Sequence, residues 1–202
     1  MAITTVRAVP YSDMAEYLRG ESPARPCAAL AASHDRVWII SVTSSPRCPT
    51  NAFEGWDEGG PVALCEDGDD RIALAFDDVE PRADPTTHTE LGRNARYVYF
   101  DHAMAQKVCR FIRRAHGDDP ARRDLLLINC HAGVSRSGAI GDFARSVTGV
   151  DYSDFKRLNP QVVPHAHVRR TLFEAWAALG GGPHRAAVSA LPRDSPENVP
   201  ES

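Results

Sequence analysis

The sequence predicts a single α/β domain in which a mostly parallel central sheet is flanked by helices on both sides. Apolar runs typical of buried strands occur near residues 3–9, 36–43, 71–76 and 124–129, and segments with helical patterns lie between and after them. The run Leu125-Leu126-Leu127-Ile128 does not alternate with polar residues, as expected of a parallel strand covered on both faces. A length of 202 residues suits one domain with a sizeable core.

The first half of the chain predicts three of the four strands. After the strand at 3–9, a short helix is expected over residues 13–18, capped by Ser12 and ended by Gly20. A Pro-containing connector then leads to the strand at 36–43. Residues 44–60 are rich in Pro, Ser, Gly and Asn and predict a loop, and residues 62–65 predict a short strand before the one at 71–76.

The second half predicts the remaining strand and four helices. A long loop is expected over 81–96. A helix capped by Asp101 should cover 102–116, and further helices are expected over 137–147, 151–158 and 165–179. In the helix at 151–158, Tyr152, Phe155 and Leu158 are expected to point inward. Gly180-Gly181-Gly182-Pro183 ends the predicted domain, 1–180, and the Pro- and Ser-containing segment 181–202 is expected to be a disordered tail.

Composition narrows the class of partner. The net charge of −4 provides no overall attraction to nucleic acid or to acidic membranes. The sequence has neither an apolar run of 18 residues nor the pattern of a signal peptide, which predicts a cytoplasmic protein with no membrane partner. Nothing in the sequence indicates an oligomeric state.

The cysteines and histidines do not form a metal-binding pattern. The five cysteines, Cys27, Cys48, Cys65, Cys109 and Cys130, are scattered and include no Cys-x2-Cys pair, so neither a disulfide framework nor a zinc site is expected. The histidines His131, His165 and His167 lack ligand spacing and carboxylate partners. We therefore expect no metal and no cofactor.

One segment is the candidate functional site, Cys130-His131-Ala132-Gly133-Val134-Ser135-Arg136-Ser137-Gly138. It lies between the apolar run at 125–128 and the predicted helix at 137–147. Gly133 permits a tight turn, whose backbone N–H groups, together with those of the first helical turn, favour an oxyanion. Arg136 adds donors that match a tetrahedral oxyanion.

Within this segment, Cys130 is the candidate nucleophile. A thiol near a helix N-terminus and a guanidinium ionises more readily than a free one, and the thiolate is the reactive form. Ser137 could donate a hydrogen bond to the sulfur and make it a better leaving group when a phospho-cysteine is hydrolysed.

These residues resemble the signature loop of the protein tyrosine phosphatase superfamily, His-Cys-x5-Arg-Ser/Thr, and the wording Ala-Gly-x-Ser-Arg-Ser-Gly is most similar to its dual-specificity branch. The resemblance implies a phosphatase-type P-loop between a strand and a helix, a nucleophile at Cys130 and release assisted by Ser137. It further implies that phosphate is bound by Arg136 and the loop residues His131, Ala132, Gly133, Val134 and Ser135. Asn129 stands where the family usually has His; an asparagine can still order the loop by hydrogen bonds.

The same resemblance implies a general acid, an aspartate on a loop after a strand. Asp78 is the first candidate because it lies just beyond the strand at 71–76, and Asp77 is the second. Asp84 and Asp101 are further candidates. Asp101 is nearer to Cys130 in sequence, but it is also the predicted cap of the helix at 102–116.

The function that the resemblance implies is hydrolysis of phosphotyrosine in a protein or peptide, with phosphoserine and phosphothreonine as further candidates. One alternative is a phosphatase of phosphoinositides or RNA 5′ phosphates. The lysines that lipid-directed members often carry inside the loop are absent here, where His131, Ala132, Val134 and Ser135 stand. A second alternative is a phosphate-binding protein of this family without turnover.

Overall fold

A computed structural model of the chain describes residues 2–20, 26–45, 64–80, 97–117, 119 and 121–182. Within them the sheet has four strands, β1 (Ile3–Pro10), β2 (Arg36–Thr43), β3 (Arg71–Ala75) and β4 (Asp124–Cys130). All neighbouring strands pair in parallel, in the order β1-β4-β2-β3. The four predicted strands are confirmed, and the described sheet is entirely parallel.

The six described helices follow the strands in the manner of an α/β domain. They are α1 (Tyr11–Arg19), α2 (Pro26–Ala32), α3 (His102–Gly117), α4 (Arg136–Thr148), α5 (Tyr152–Leu158) and α6 (Ala166–Ala178). No helix in the described ranges is both long enough and apolar enough to cross a membrane.

Both faces of the sheet are covered, as β4 makes clear. Every residue of β4 is buried. Leu126 and Ile128 belong to a large cluster that includes side chains of α3, α4 and α6, whereas Leu125 and Leu127 belong to a smaller one with residues of α1 and α2. Because successive side chains of a strand point to opposite faces, the unbroken apolar run serves both clusters.

Among the described helices, α4 is the most deeply buried. The side chains of all its residues except Val147 are buried, and glycines allow it to approach its neighbours closely. A Cβ on Gly138 would lie 2.8 Å from Cγ1 of Val162, and one on Gly141 would lie 3.2 Å from Cε2 of Phe155. The start of α4 is therefore fixed from several sides, which in turn fixes the loop before it.

Four sequence predictions for the elements need correction. Helix α1 begins at Tyr11, directly after β1, with Pro10 rather than Ser12 at its N-cap. The connector before β2 contains α2, whose Pro26 occupies a first helical position that tolerates proline. Leu64 and Cys65 are in a bend and not in a strand.

The remaining correction concerns Tyr152, which is 55% exposed. Its ring lies 4.7 Å from the guanidinium carbon of Arg145 instead of pointing into the core. The predicted end of α1 at Gly20 is confirmed, since Gly20 is its C-cap with a left-handed φ of 69°. The predicted cap of α3 by Asp101 is also confirmed, since Asp101 Oδ1 accepts from Met104 N at 2.8 Å. The predicted tail beyond Gly182 and most of the loops at 44–60 and 81–96 lie outside the described residues.

Candidate active site

The candidate nucleophile ends the strand that occupies an inner position in the sheet. Cys130 is the last residue of β4, which lies between β1 and β2, and it pairs in register with Pro10 at the end of β1. Because all the strands are parallel, their carboxyl ends meet at one edge, where α/β sheets commonly bind ligands. Cys130 is only 2% exposed.

The sulfur of Cys130 contacts the hydroxyl group at the start of α4. Its Sγ lies 3.1 Å from Oγ of Ser137, and Ser137 is fully buried. Either atom can be the donor of this hydrogen bond. When the sulfur is ionised, the hydroxyl must donate, since a thiolate has no proton to give. The structure thus brings together the two residues that the sequence assigned to bond formation and bond breakage at sulfur.

The loop between β4 and α4, residues 131–135, is held from outside through its carbonyl groups. The amide of Tyr11 donates to the carbonyl oxygen of His131 at 3.0 Å, and Nε2 of Gln161 donates to that of Gly133 at 3.2 Å. The amide of Val163 donates to the carbonyl oxygen of Val134, and the amide of His165 donates to that of Ser135, both at 3.3 Å. No amide from Ala132 to Arg136 donates to a group in the described part of the chain. Those N–H groups are left available to an external acceptor, as expected near a helix N-terminus.

Gly133 is required by the backbone of this loop. Its φ is +72°, in the left-handed region, and a Cβ at this position would lie 2.6 Å from both Pro10 N and Val9 C. Only glycine avoids the steric cost of that φ and permits so close an approach to the end of β1. The sequence interpretation of Gly133 as the turn residue agrees with this geometry.

Arg136 is fixed by one of its nitrogen atoms and leaves another unused. Nη1 donates to the carbonyl of Phe76 at 2.7 Å and to Oγ of Ser44 at 3.2 Å. Nε is buried and has no hydrogen-bond partner among the described residues. The whole residue is only 3% exposed, so water does not replace the missing partner. Because a buried donor without a partner is costly, this arrangement favours an acceptor supplied by a ligand.

Asp78, the first candidate for the general acid, contacts the loop. Its Oδ1 accepts a hydrogen bond from Oγ of Ser135 at 2.8 Å and lies 3.6 Å from Nε2 of His165. The Asp78 side chain is 42% exposed, so solvent can reach its carboxyl group. Glu80 lies close by, with Oε1 3.3 Å from Nδ1 of His165. The segment carrying Asp78 is therefore attached to both the loop and the start of α6.

The second candidate, Asp77, has a different set of partners. It is 1% exposed and accepts from Ser45 N and Ser45 Oγ, both at 2.8 Å, and from Val98 N at 2.7 Å. These bonds connect Asp77 to the segments that carry Ser45 and Val98, so its carboxylate serves to hold the fold together. Asp101 caps α3, as described above, and Asp84 lies outside the described residues.

Asn129 does not order the loop through its amide group, contrary to the prediction. Both amide atoms are buried, and neither has a hydrogen-bond partner in the part of the chain that the structure describes. Its register partner on β2, Ser41, has a buried Oγ that also lacks one within the same residues. The reason is directional: consecutive strand residues point to opposite faces, so Asn129 and Cys130 diverge.

Sequence reasoning missed the residues that hold the loop and the arginine. Ser44 and Phe76 anchor Arg136, and Gln161, Val163 and His165 hold the loop carbonyls. Most of these contacts use backbone atoms, which leave no signature in residue types. The sequence did carry a signal for Asn159, because a polar residue between the end of a helix and a proline needs hydrogen-bond partners when it is buried. Its Oδ1 accepts from Ala8 N at 2.7 Å, and its Nδ2 donates to Val6 O at 3.0 Å.

Comparison of the chain with protein-family models, with curated proteins and with solved structures finds no match.

Proposed function

We propose that the protein is a cysteine-dependent phosphatase that hydrolyses phosphotyrosine in proteins or peptides, and that the loop after β4 is its P-loop. The observation that carries the proposal is the contact at the end of that loop: the sulfur of Cys130 lies 3.1 Å from the buried hydroxyl of Ser137. The residue before Ser137 in the chain, Arg136, has a buried Nε with no partner in the described chain. Phosphoserine and phosphothreonine are further candidate substrates, as the resemblance to the dual-specificity branch suggests.

In the first step, the thiolate of Cys130 attacks phosphorus, and the bond from phosphorus to the ester oxygen breaks. The non-bridging oxygens accept hydrogen bonds from Nε of Arg136 and from the backbone amides of residues 132–136. None of these donors has another acceptor among the described residues. Asp78, in its protonated form, donates its proton to the departing oxygen. The products are the free alcohol and a phospho-cysteine.

In the second step, a water molecule attacks phosphorus and the sulfur leaves. Asp78, now a carboxylate, accepts a proton from that water, so the enzyme returns to its starting state and inorganic phosphate is released. Ser137 donates to the departing sulfur across the 3.1 Å contact and stabilises the thiolate. No atom or electron is required beyond substrate and water.

The test is turnover of p-nitrophenyl phosphate and of a phosphotyrosine peptide by the wild type and Cys130→Ser. We expect Cys130→Ser to reduce turnover to the buffer background while phosphate binding persists, because the substitution removes the nucleophile and leaves Arg136 in place. Cys65→Ser is the matched control, since Cys65 lies outside the loop and should leave turnover unchanged. Equal turnover in Cys130→Ser and the wild type would refute the proposal.

A phosphate-binding protein without turnover is the second candidate, and the side chain of Asn129 favours it. The family's His is absent at this position, and the amide that replaces it makes no hydrogen bond to the described part of the loop. Such a protein would bind a phosphotyrosine peptide through Arg136 and release no phosphate. Assaying phosphoinositides and RNA with a 5′ phosphate beside the peptide tests the remaining alternative class of substrate.

A further inference from the structure

A cavity lies between α4, α5 and α6. It has a volume of about 380 Å³ and is lined by Asp142, Arg145, Tyr152, Phe155, Lys156, Val162, Pro164 and Arg169. None of these residues belongs to the loop at 131–135 or contacts Cys130 in the bonds described above. The lining of the cavity thus includes none of the residues proposed to act in catalysis.

The charged lining of this cavity has more cations than anions. Asp142 is its only carboxylate among the described residues, and both of its oxygens are occupied. Oδ1 accepts from Arg145 Nε and Nη2 at 2.9 and 2.7 Å, and Oδ2 accepts from Arg169 Nε at 2.7 Å. Two guanidinium groups therefore share one carboxylate, and Lys156 adds a third positive charge.

Burial makes this imbalance costly. The side chain of Arg145 is 10% exposed and that of Arg169 is 25% exposed, so water screens them poorly. A buried cation without a full counter-charge is unfavourable, and the ring of Tyr152, 4.7 Å from the guanidinium carbon of Arg145, compensates only in part. An anion in the cavity would complete the neutralisation.

The uncharged part of the lining indicates what else the ligand contains. Phe155 and Val162 are apolar and buried, whereas Tyr152 and Pro164 are exposed. The volume is within the range of small-molecule sites, which combine apolar walls with a few polar groups. We propose that this cavity binds a small organic anion, with a phosphate or carboxylate group on the guanidinium side and a ring-sized apolar body against Phe155 and Val162.

The site is also connected to the loop at 131–135. Val162 packs on Gly138 near the start of α4, and the next residue, Val163, donates its amide to Val134 of the loop. Amide signals of residues 161–165 should therefore respond to occupancy of either the cavity or the loop, whereas those of residues 152–156, which have no described bond to the loop, report the cavity.

The experiment is a titration of the ¹⁵N-labelled full chain with phenylphosphonate, which cannot be hydrolysed as an ester, and with benzoate, followed by heteronuclear NMR. Benzyl alcohol, of similar size and uncharged, is the ligand control. Amide signals of residues 152–156 and 161–165 are expected to shift in a saturable manner with at least one anion and not with benzyl alcohol. Which anion binds more tightly distinguishes a phosphate ligand from a carboxylate ligand.

Two variants test the role of charge. Lys156→Met should weaken the apparent affinity about tenfold, the effect of one charge-assisted hydrogen bond. Arg157→Met, which removes the same charge from the adjacent residue outside the cavity, should change it less than about twofold. Shifts confined to residues 130–137, shifts that do not saturate, or equal effects of the two variants would overturn the proposal. The first of these outcomes would leave the proposed phosphatase site intact.

Discussion

At the scale of single residues, the candidate site depends on how Arg136 distributes its hydrogen bonds. Nη1 is held by Phe76 O and Ser44 Oγ, whereas the buried Nε has no acceptor in the described chain. A side chain that is fixed before a ligand arrives loses little conformational freedom on binding. In the proposed function, this geometry would preorganise Arg136 for an oxyanion.

The two adjacent aspartates should respond differently to the same substitution. Asp78→Asn is expected to lower kcat about 10²–10⁴-fold, because it removes the transferable proton near the loop while it retains the size of the side chain. The thermal midpoint should hardly change, since Asp78 is 42% exposed. Steady-state kinetics with a phosphotyrosine peptide and calorimetry measure the two quantities.

Asp77→Asn is the matched variant. It should mainly lower the thermal midpoint, because an amide cannot accept all three hydrogen bonds from Ser45 and Val98 as a carboxylate does. If Asp77→Asn lost turnover at unchanged stability and Asp78→Asn did not, the assignment of the acid to Asp78 would be wrong.

The thiols provide a second prediction at this scale. Burial raises the pKa of Cys109 to about 12 and also raises the pKa values of Cys27 and Cys65. Because a thiol is protonated below its pKa, these three should react slowly with iodoacetamide at neutral pH and faster as the pH rises. Cys130 should be alkylated faster than these three, and inorganic phosphate should protect it.

Peptide mass spectrometry after timed alkylation gives the rate for each cysteine. The protection by phosphate is the specific part of this prediction, since it requires the anion and the sulfur to occupy one site. Alkylation of Cys130 no faster than that of Cys65, or unaffected by phosphate, would count against the proposed nucleophile.

At the scale of elements, the loop between β4 and α4 depends on Gly133. Gly133→Ala should destabilise the fold by about 1–3 kcal/mol or more, because alanine is strained at a φ of +72° and its Cβ would overlap the backbone of Val9 and Pro10. Gly20→Ala is the matched control, since Gly20 has a φ of +69° and open space around it. Chemical denaturation of both variants separates the effect of contact from that of φ.

A loss of stability no greater in Gly133→Ala than in Gly20→Ala would show that the loop does not approach β1 as closely as described. Phosphate binding should also weaken in Gly133→Ala, because moving the loop displaces its amides. Gly20→Ala should bind phosphate like the wild type.

Much of the fold could be predicted from the sequence, for reasons visible in particular elements. The strands β1, β2, β3 and β4 are marked by apolar runs, and α3 by an apolar face and the capping Asp101. Helix α2 was missed because its short sequence, Pro-Cys-Ala-Ala-Leu-Ala-Ala, lies in a stretch interpreted as a Pro-containing connector. The exposure of Tyr152 was missed because its contact with Arg145 is tertiary.

The candidate site was predictable only in part. The spacing of Cys130, Gly133, Arg136 and Ser137 indicated the loop. Cys130, Arg136 and Ser137 now have described side-chain contacts, and Gly133 has the left-handed backbone conformation of a turn. The partners that hold the loop were not predictable, because Tyr11 follows β1 and Gln161 and Val163 follow α5, so they meet the loop only in the folded chain. Contacts between residues so far apart in the chain leave no local pattern in the sequence.

At the scale of the whole molecule, strand order determines where the site lies. The order β1-β4-β2-β3 places the end of β4 between neighbours on both sides. As a result, Cys130 is flanked by the end of β1, and the residues that follow β2 and β3, Ser44 and Phe76, can reach Arg136. A site assembled from the ends of several strands is rigid only when the entire sheet is formed, so anion binding should be lost together with the fold.

The central claim is that Cys130 carries the phosphoryl group during turnover, and trapping that species tests it most directly. Ser137→Ala should slow release of the sulfur more than its attack, so the phospho-cysteine should accumulate. The measurement is peptide mass spectrometry of this variant after acid quench during turnover of p-nitrophenyl phosphate. We predict the mass increase of one phosphoryl group on the peptide that contains Cys130; turnover that proceeds with no phosphoryl group on this peptide, or with one on a different residue, would contradict the account.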